Sequence, residues 1–431
     1  MRPSILPSLL LLLPLIHGAL AREISVELGP EIAAGRAIPA DISNHYQTNL
    51  RCDPLDAKNF GITCKYGSGE KQTAFLHTRD GGATWQADRV PDSGDPDLLY
   101  DNEGGLHRIY IGKPGKRTGY RRSLDGGATW EPDKLISATG VDHMHMICDR
   151  GPSARRGSLY VAGVSTKGPV LHLMRSTDRG VTWSEITSDL PPSVGRGFVH
   201  DLAVLEDGTL VISIKSQIRI RSEDGKYAGS EIDLFVIRST DGGQTVSAPI
   251  LISDSDNPKK AGTPASRSFA LAKGKWQGAE RLYTVFTRTR QDLPALLQIC
   301  TSDDGGLTWT APRGVAPTTP EGWGQGGCIS AIVNRDGVLG IQFYNFAPNS
   351  RDDFDLYFTA SADGGATFTA PLRVSTATSH EPPDQNREPG GDQVYADTAP
   401  DGTFKLVWPD ARENAPTYTV YHRTATVKVA D

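Results

Sequence analysis

Asp97, His200, Asp201 and Tyr395 are the residues of this chain whose types suit proton transfer or nucleophilic attack. An imidazole and carboxylates exchange protons with a reacting group, and a tyrosine hydroxyl can serve as acid or nucleophile. Arg267 matches a carboxylate with two parallel hydrogen bonds, and His143, His145 and Asp392 add polar contacts around it. The indole of Trp323 offers a platform for a sugar ring. Such a set suits hydrolysis or β-elimination on an acidic sugar. Each member also has a plainer reading: an ion pair for Arg267, packing for Trp323, and hydrogen bonds between neighbouring strands for the rest.

Metal chemistry is weighed at two places. The run His143-Met144-His145 puts two imidazoles on one face of a strand, with Asp142 or His200 as a third ligand. Asp95 and Asp97 offer oxygens to calcium. Ordinary strand residues explain both runs, so no metal and no other cofactor is assigned.

These residues lie far apart in sequence, and a repeated element must bring them together. The pattern Ser/Thr-x-Asp-x-Gly-x-Thr-aromatic occurs at Thr78 to Trp85, Ser123 to Trp130, Ser176 to Trp183, Ser302 to Trp309 and Ser361 to Phe368, and Ser239 to Val246 repeats it without the aromatic. In each copy the aspartate can accept N–H bonds inside a tight turn, and the glycine two residues on supplies positive φ. A loop that recurs in every unit defines a fold rather than a reaction, so the boxes receive no chemistry. Successive box aspartates stand 45 to 63 residues apart, room for about four short strands, the size of a propeller blade. In the fourth unit the strands read Asp201 to Leu205, Leu210 to Ile214, Asp233 to Arg238 and Pro249 to Ile252.

After the last box, Val394 to Asp397, Thr403 to Trp408 and Thr417 to Arg423 read as three more strands, with Ala425 to Val429 following and Ile24 to Leu28 available to close the ring. The fold class is therefore all-β, an Asp-box β-propeller of seven four-stranded blades, with six as the alternative if the ends pair differently. Ligands of propellers sit where the innermost strands begin. Here those starts read His45, Tyr46 and Gln47; Asp95 and Asp97; Asp142, His143 and His145; His200 and Asp201; Ser266 and Arg267; Gly326 and Gly327; and Asp392 and Gln393.

The boxes, with Ser123-Leu124-Asp125-Gly126-Gly127-Ala128-Thr129-Trp130 as the type, are similar to those of the sialidase-like Asp-box (BNR repeat) superfamily. The ending from Gly391-Asp392-Gln393 to Trp408-Pro409-Asp410-Ala411-Arg412 resembles that of secreted BNR-repeat proteins described as glycosyl hydrolases. A sialidase implies an arginine triad, a Tyr nucleophile with a Glu partner and an Asp acid/base. Its first arginine belongs to an Arg-Ile-Pro motif, whereas this chain reads His45-Tyr46-Gln47-Thr48-Asn49-Leu50-Arg51. The nucleophile's place falls at Asp392-Gln393. Tyr395, two residues on, could face the same way as Gln393 through strand alternation.

Residues 1–21 read as a signal peptide: Arg2 precedes the apolar run Leu9 to Ile16, and Ala19-Leu20-Ala21 suits cleavage. The expected product is a single propeller domain over 22–431, secreted or periplasmic, with no transmembrane segment. A net charge of −6 without basic runs argues against nucleic-acid partners. The expected partner is a carbohydrate, and the oligomeric state is left open. Cys52 and Cys64 fall on successive strands and read either as a disulfide or as two buried apolar residues. Three functions stay in play: a sialidase-like glycoside hydrolase, a polysaccharide lyase with His143 or His200 as base and Tyr395 or another Tyr protonating the leaving oxygen, and a non-catalytic glycan- or protein-binding propeller.

Overall fold

The computed structural model describes residues 23–430 except 38–45, 67–71, 91–92, 113–116, 166–167, 196, 217, 223, 226, 254–268, 291–292, 316–323, 326, 348–352, 381–393 and 413–417. Its strands form seven blades around one axis. The innermost strands of blades 1 to 5 are Tyr46–Cys52, Ser93–Tyr100, Val141–Cys148, Phe198–Val204 and Phe269–Trp276. Blade 6 begins with Gly324–Gln325 and Ser330–Val333, which share one neighbouring strand, and blade 7 begins with Asp397–Thr398. The fourth unit matches its sequence reading closely, running Phe198–Val204, Leu210–Lys215, Leu234–Ser239 and Ile250–Ser253. Between its second and third strands it inserts a hairpin, Ile218–Arg221 with Tyr227–Glu231, which the repeat pattern does not signal.

Every box closes the same way. In blade 2, Ser123 Oγ donates to Asp125 Oδ1 at 2.7 Å, Thr129 N and Oγ1 donate to Asp125, and Gly127 N donates to Ser123 Oγ. The other five aspartates accept the equivalent bonds. The box aromatics fasten neighbouring elements: Trp130 meets the Phe75 ring edge-on at 5.5 Å and Trp183 meets Tyr120 at 5.0 Å. Tyr120 explains one glycine in particular. A Cβ on Gly180, whose φ is +81°, would stand 1.7 Å from Tyr120 Oη. Gly180→Ala therefore combines backbone strain with overpacking and is expected to cost roughly 3 kcal/mol or more. Urea unfolding checks this, and Tyr120→Phe in the same chain should recover part of the loss.

Ring closure differs from the sequence reading in one detail. Ala425 to Val429 is no separate strand but the continuation of Thr419–Val429, and the fourth strand of blade 7 is the N-terminal Ile24–Ile32. Closure with the chain's two ends in one sheet leaves no open seam. A clasp secures it. Arg412 pairs with both Glu31 and Asp410, its guanidinium lies 4.4 Å from the Tyr421 ring centroid, and Thr376 donates twice to Glu31. Arg412→Met would strand two mostly buried carboxylates, for which about 3 kcal/mol is expected. Amide exchange should then accelerate first in Ile24–Ile32.

All five cysteines are buried and free. Cys52 faces Phe60 across the hairpin, so Cys64 stands four residues up the partner strand. That separation of roughly 13 Å along a strand exceeds disulfide reach, and the paired-cysteine expectation gives way to two buried apolar residues.

Candidate functional site

The inner strands of blades 1 to 4 share an irregularity near their starts. Register slips between Tyr46 and Asn49, Gly94 and Asp97, Asp142 and His145, and Val199 and Asp201. In the first three, a residue with a Cβ takes positive φ: Gln47 at 53°, Asp95 at 43° and His143 at 49°. Such bulges re-aim side chains and concentrate near functional sites. Their consequence here is two layers of polar groups, one inside the channel and one at its mouth.

The channel layer ties blade to blade. Asp97 accepts from Leu98 N at 2.9 Å and, across the seam to blade 3, from Met146 N at 3.0 Å. Asp397 accepts from Thr398 N and, in blade 1, from Cys52 N. Asp201 accepts from Leu202 N at 2.9 Å and from Leu271 N of blade 5. Asn49 Nδ2 donates to Pro96 O, and Ser330 Oγ accepts from Ala396 N. Arg51 sits among the carboxylates, 3.6 Å from Asp97. Burial opposes its charge, yet Asp97, Asp397 and Asp201 outweigh burial and raise its pKa. Burial pushes the Asp97 carboxyl up against the pull of Arg51, and pushes Asp201 up to about 7.

Tyr395 crosses this layer. Its hydroxyl donates to His200 O at 2.8 Å and lies 3.5 Å from His145 Nε2, while Arg51 lies 5.7 Å from its ring centroid. The phenol is buried at 4% exposure and acts as a bar across the channel. His145 is buried beside it, with Nδ1 3.7 Å from Asp97. Burial, reinforced by Arg51 and His143, holds the His145 imidazole well below its usual pKa.

The mouth layer lies on the outer side of that bar. His143 packs edge-on against Phe198 at 4.8 Å and stands 6.2 Å from the His200 ring. Lys65 pairs with Asp95, and Lys215 lies 5.6 Å from the Phe198 centroid. Burial pushes the Asp95 carboxyl up, but Lys65 and His143 outweigh it and hold it below the carboxylate range. Burial, then Lys215 and the two other imidazoles, hold His200 well below the usual histidine value. His200 Nε2 is buried and finds no hydrogen-bond partner among the described residues. A neutral imidazole with a nitrogen uncommitted, next to an ammonium group, can take a proton from an acidic carbon.

The sequence expectations fare unevenly. Asp97, Asp201, Tyr395 and His145 meet in the channel, and His143 with His200 at the mouth. Arg267, Trp323 and Asp392 lie outside the described residues. The two imidazoles of His143 and His145 do not share a face: the bulge at His143 breaks strand alternation, leaving one ring beside Phe198 and the other beside Tyr395. Asp95 and Asp97 are likewise separated, one held by Lys65 and the other by backbone N–H groups. No group of three or more His, Cys, Asp or Glu side chains converges as a metal site among the described residues. Lys65, Lys215 and Arg51 are missing from the expectations. Lys65 is the penultimate residue of the second strand Phe60–Tyr66 and Lys215 the last of Leu210–Lys215, and a lone charge near the end of an otherwise uncharged strand is the signal that could have found them.

A seven-bladed Asp-box propeller with a polar mouth is the class that fold and site define. The model of the BNR repeat-like domain matches residues 158–387, and the chain belongs to that family. No protein of curated function matches the sequence. Among solved structures, an ulvan lyase bound to -[GlcA(1-4)Rha3S]- is similar at 11% identity and a TM-score of 0.56, over 91% of this chain and 95% of that one. The Hadza microbial sialidase Hz136 is similar at 16% identity and a TM-score of 0.47, over 94% and 92%. The intramolecular trans-sialidase of Ruminococcus gnavus is similar at 14% identity and 0.46, over 88% and 94%. No helix among the described residues is long and apolar enough to cross a membrane.

Proposed function

We propose that the mouth binds an acidic polysaccharide and cleaves it by β-elimination at a uronate. The observation that carries this reading is the facing pair His143 and His200, flanked by Lys215 and Lys65, above a phenol and carboxylates already engaged in the channel. In the reaction, Lys215 neutralises the uronate carboxylate, which acidifies the neighbouring C5–H. His200, with His143 beside it, takes that proton. The C–H electron pair becomes the C4–C5 double bond as the C4–O bond breaks, and the imidazolium returns its proton to the departing glycosidic oxygen. Phe198 presents an apolar face to the sugar. The ulvan lyase, whose bound fragment contains GlcA, is in keeping with this substrate class on this fold. The sialidase-like hydrolase reading is less well supported, because the Tyr395 hydroxyl is spent on His200 O.

The test is incubation of the mature protein with uronate-containing and sialylated glycans, following near-ultraviolet absorbance and released sugar together. Absorbance from the new double bond supports elimination. Released sugar without absorbance overturns it in favour of hydrolysis, and binding without either signal overturns it in favour of a non-catalytic propeller. Secretion through residues 1–21 belongs to the same proposal, since an extracellular polysaccharide must meet its enzyme outside the cell; N-terminal sequencing of exported protein starting near Arg22 would support it.

A further inference from the structure

We propose that the central channel beneath the Tyr395 bar is a second binding site, distinct from the mouth, for a small hydroxylated carboxylate the size of one sugar acid. A cavity of about 270 Å³ runs there, from Arg51, Asp201 and Tyr395 at its floor to Arg150 and Lys273 at its rim. None of His143, His200, Lys65, Asp95 or Lys215 borders it. The inner strands run from the mouth to the opposite face; Arg150 follows the last residue of its strand, Cys148, and Lys273 lies in the second half of Phe269–Trp276, so the cavity is approached from the side away from the mouth.

The size and the lining choose the ligand class. Sites for drug-sized ligands occupy ~300–1,000 Å³, so this cavity holds one ring rather than an oligosaccharide. Two cations at the rim attract an anion, and one of them is held in place because Arg150 Nη2 donates to Tyr100 O at 2.6 Å. The guanidinium of Arg51, 3.6 Å from Asp97 and donating to Leu50 O, lines the floor and carries further N–H donors for a carboxylate. Asp201 and Asp397 also border the space; they would repel a fully anionic surface but accept hydrogen bonds from hydroxyls. Leu271 and Ala203 supply apolar wall for the C–H faces of a sugar. Cations for a carboxylate, carboxylates for hydroxyls and aliphatic contacts for a ring together describe a sugar acid better than inorganic phosphate or a neutral sugar.

The experiment titrates glucuronate into Lys215→Met protein, in which the mouth lacks the cation proposed to hold a carboxylate, with glucose and inorganic phosphate as comparison ligands. Saturable binding of one glucuronate at millimolar concentration is expected, with neither comparison ligand matching it. Adding Lys273→Glu, a change at the partly exposed rim where Lys273 Nζ lies 3.5 Å from Glu280, should weaken binding about tenfold through charge reversal. Ala203→Leu should abolish it by filling the space. Absence of saturable binding, equal binding of glucose or phosphate, or indifference to Lys273→Glu would each overturn the proposal. Lys273→Glu keeps the test decisive should Ala203→Leu fail to fold. The assay reads binding rather than turnover, so its failure is separate from any failure of the elimination reading.

Discussion

Replacing His200 with glutamine is expected to lower kcat/KM on a uronate polysaccharide by roughly 10²- to 10⁴-fold, the usual worth of a positioned general base, with the fold retained. Glutamine fills similar space without a nitrogen able to take a proton. The pH profile offers an independent reading of the same residue. Burial and Lys215 depress the His200 pKa, so the base is neutral at pH 7 and stays neutral below the ordinary imidazole value of about 6.5. Activity should hold as pH falls through 6.5 and fail only lower, where protonation blocks the base. The same depression links to stability: the contribution is fully present above the unfolded pKa and is lost as pH falls through the folded one. Tyr395→Phe is the counterpart. Its hydroxyl holds His200 O, so its loss should reduce turnover modestly, about tenfold or less, by loosening the base. A phenol acting as nucleophile would take nearly all activity with it, and that result would return the protein to the hydrolase reading. Steady-state kinetics on His200→Gln and Tyr395→Phe side by side separate the two mechanisms.

The blades were legible because their chemistry is local. Asp125, Thr129 and Ser123 close a turn among themselves, and that self-sufficiency leaves a pattern in sequence that no distant partner can blur. The seventh blade was legible from the Asp401-Gly402 turn, the strand-like runs on either side of it and the segment Ile24 to Leu28, although the long strand Thr419–Val429 was divided in two. The site was less legible, for two physical reasons. Strand alternation predicts which way a side chain points only while the strand is regular. Nothing in the types Gln47, Asp95 or His143 announces positive φ, which is rare for residues carrying a Cβ, and each bulge reverses the prediction beyond it. Furthermore, the channel aspartates act across seams: Asp97 belongs to blade 2 but satisfies Met146 of blade 3. Partners of that kind stand 49 residues apart, and neither residue's type names the other. Arg51 was noticed only as part of a stretch lacking an expected motif, although it is the cation around which the channel charges balance.

The contrast between seam bond and reacting group makes Asp97 the informative carboxylate. Both of its oxygens are engaged, with Leu98 N and Met146 N as donors and Arg51 as counter-charge, and the side chain is fully buried. Asp97→Ala would leave two buried N–H groups unsatisfied and a guanidinium short of its nearest partner, and removing one member of a buried ion pair costs roughly 3–5 kcal/mol. Asp97→Asn keeps one acceptor and should cost less, on the order of 2 kcal/mol. Measured by urea unfolding, the expected order of midpoints is wild type, then Asn, then Ala, with Asp97→Asn still turning over substrate at low temperature, where it stays folded. Should Asp97→Asn instead unfold like wild type yet lose turnover, the carboxylate would belong to the chemistry and the channel layer could no longer be treated as scaffold. The physical expectation is the former: a carboxylate with two backbone donors, sealed from the mouth by Tyr395, has no route to exchange a proton with a sugar bound at the mouth, whereas its contribution to joining blades 2 and 3 is made in every folded molecule.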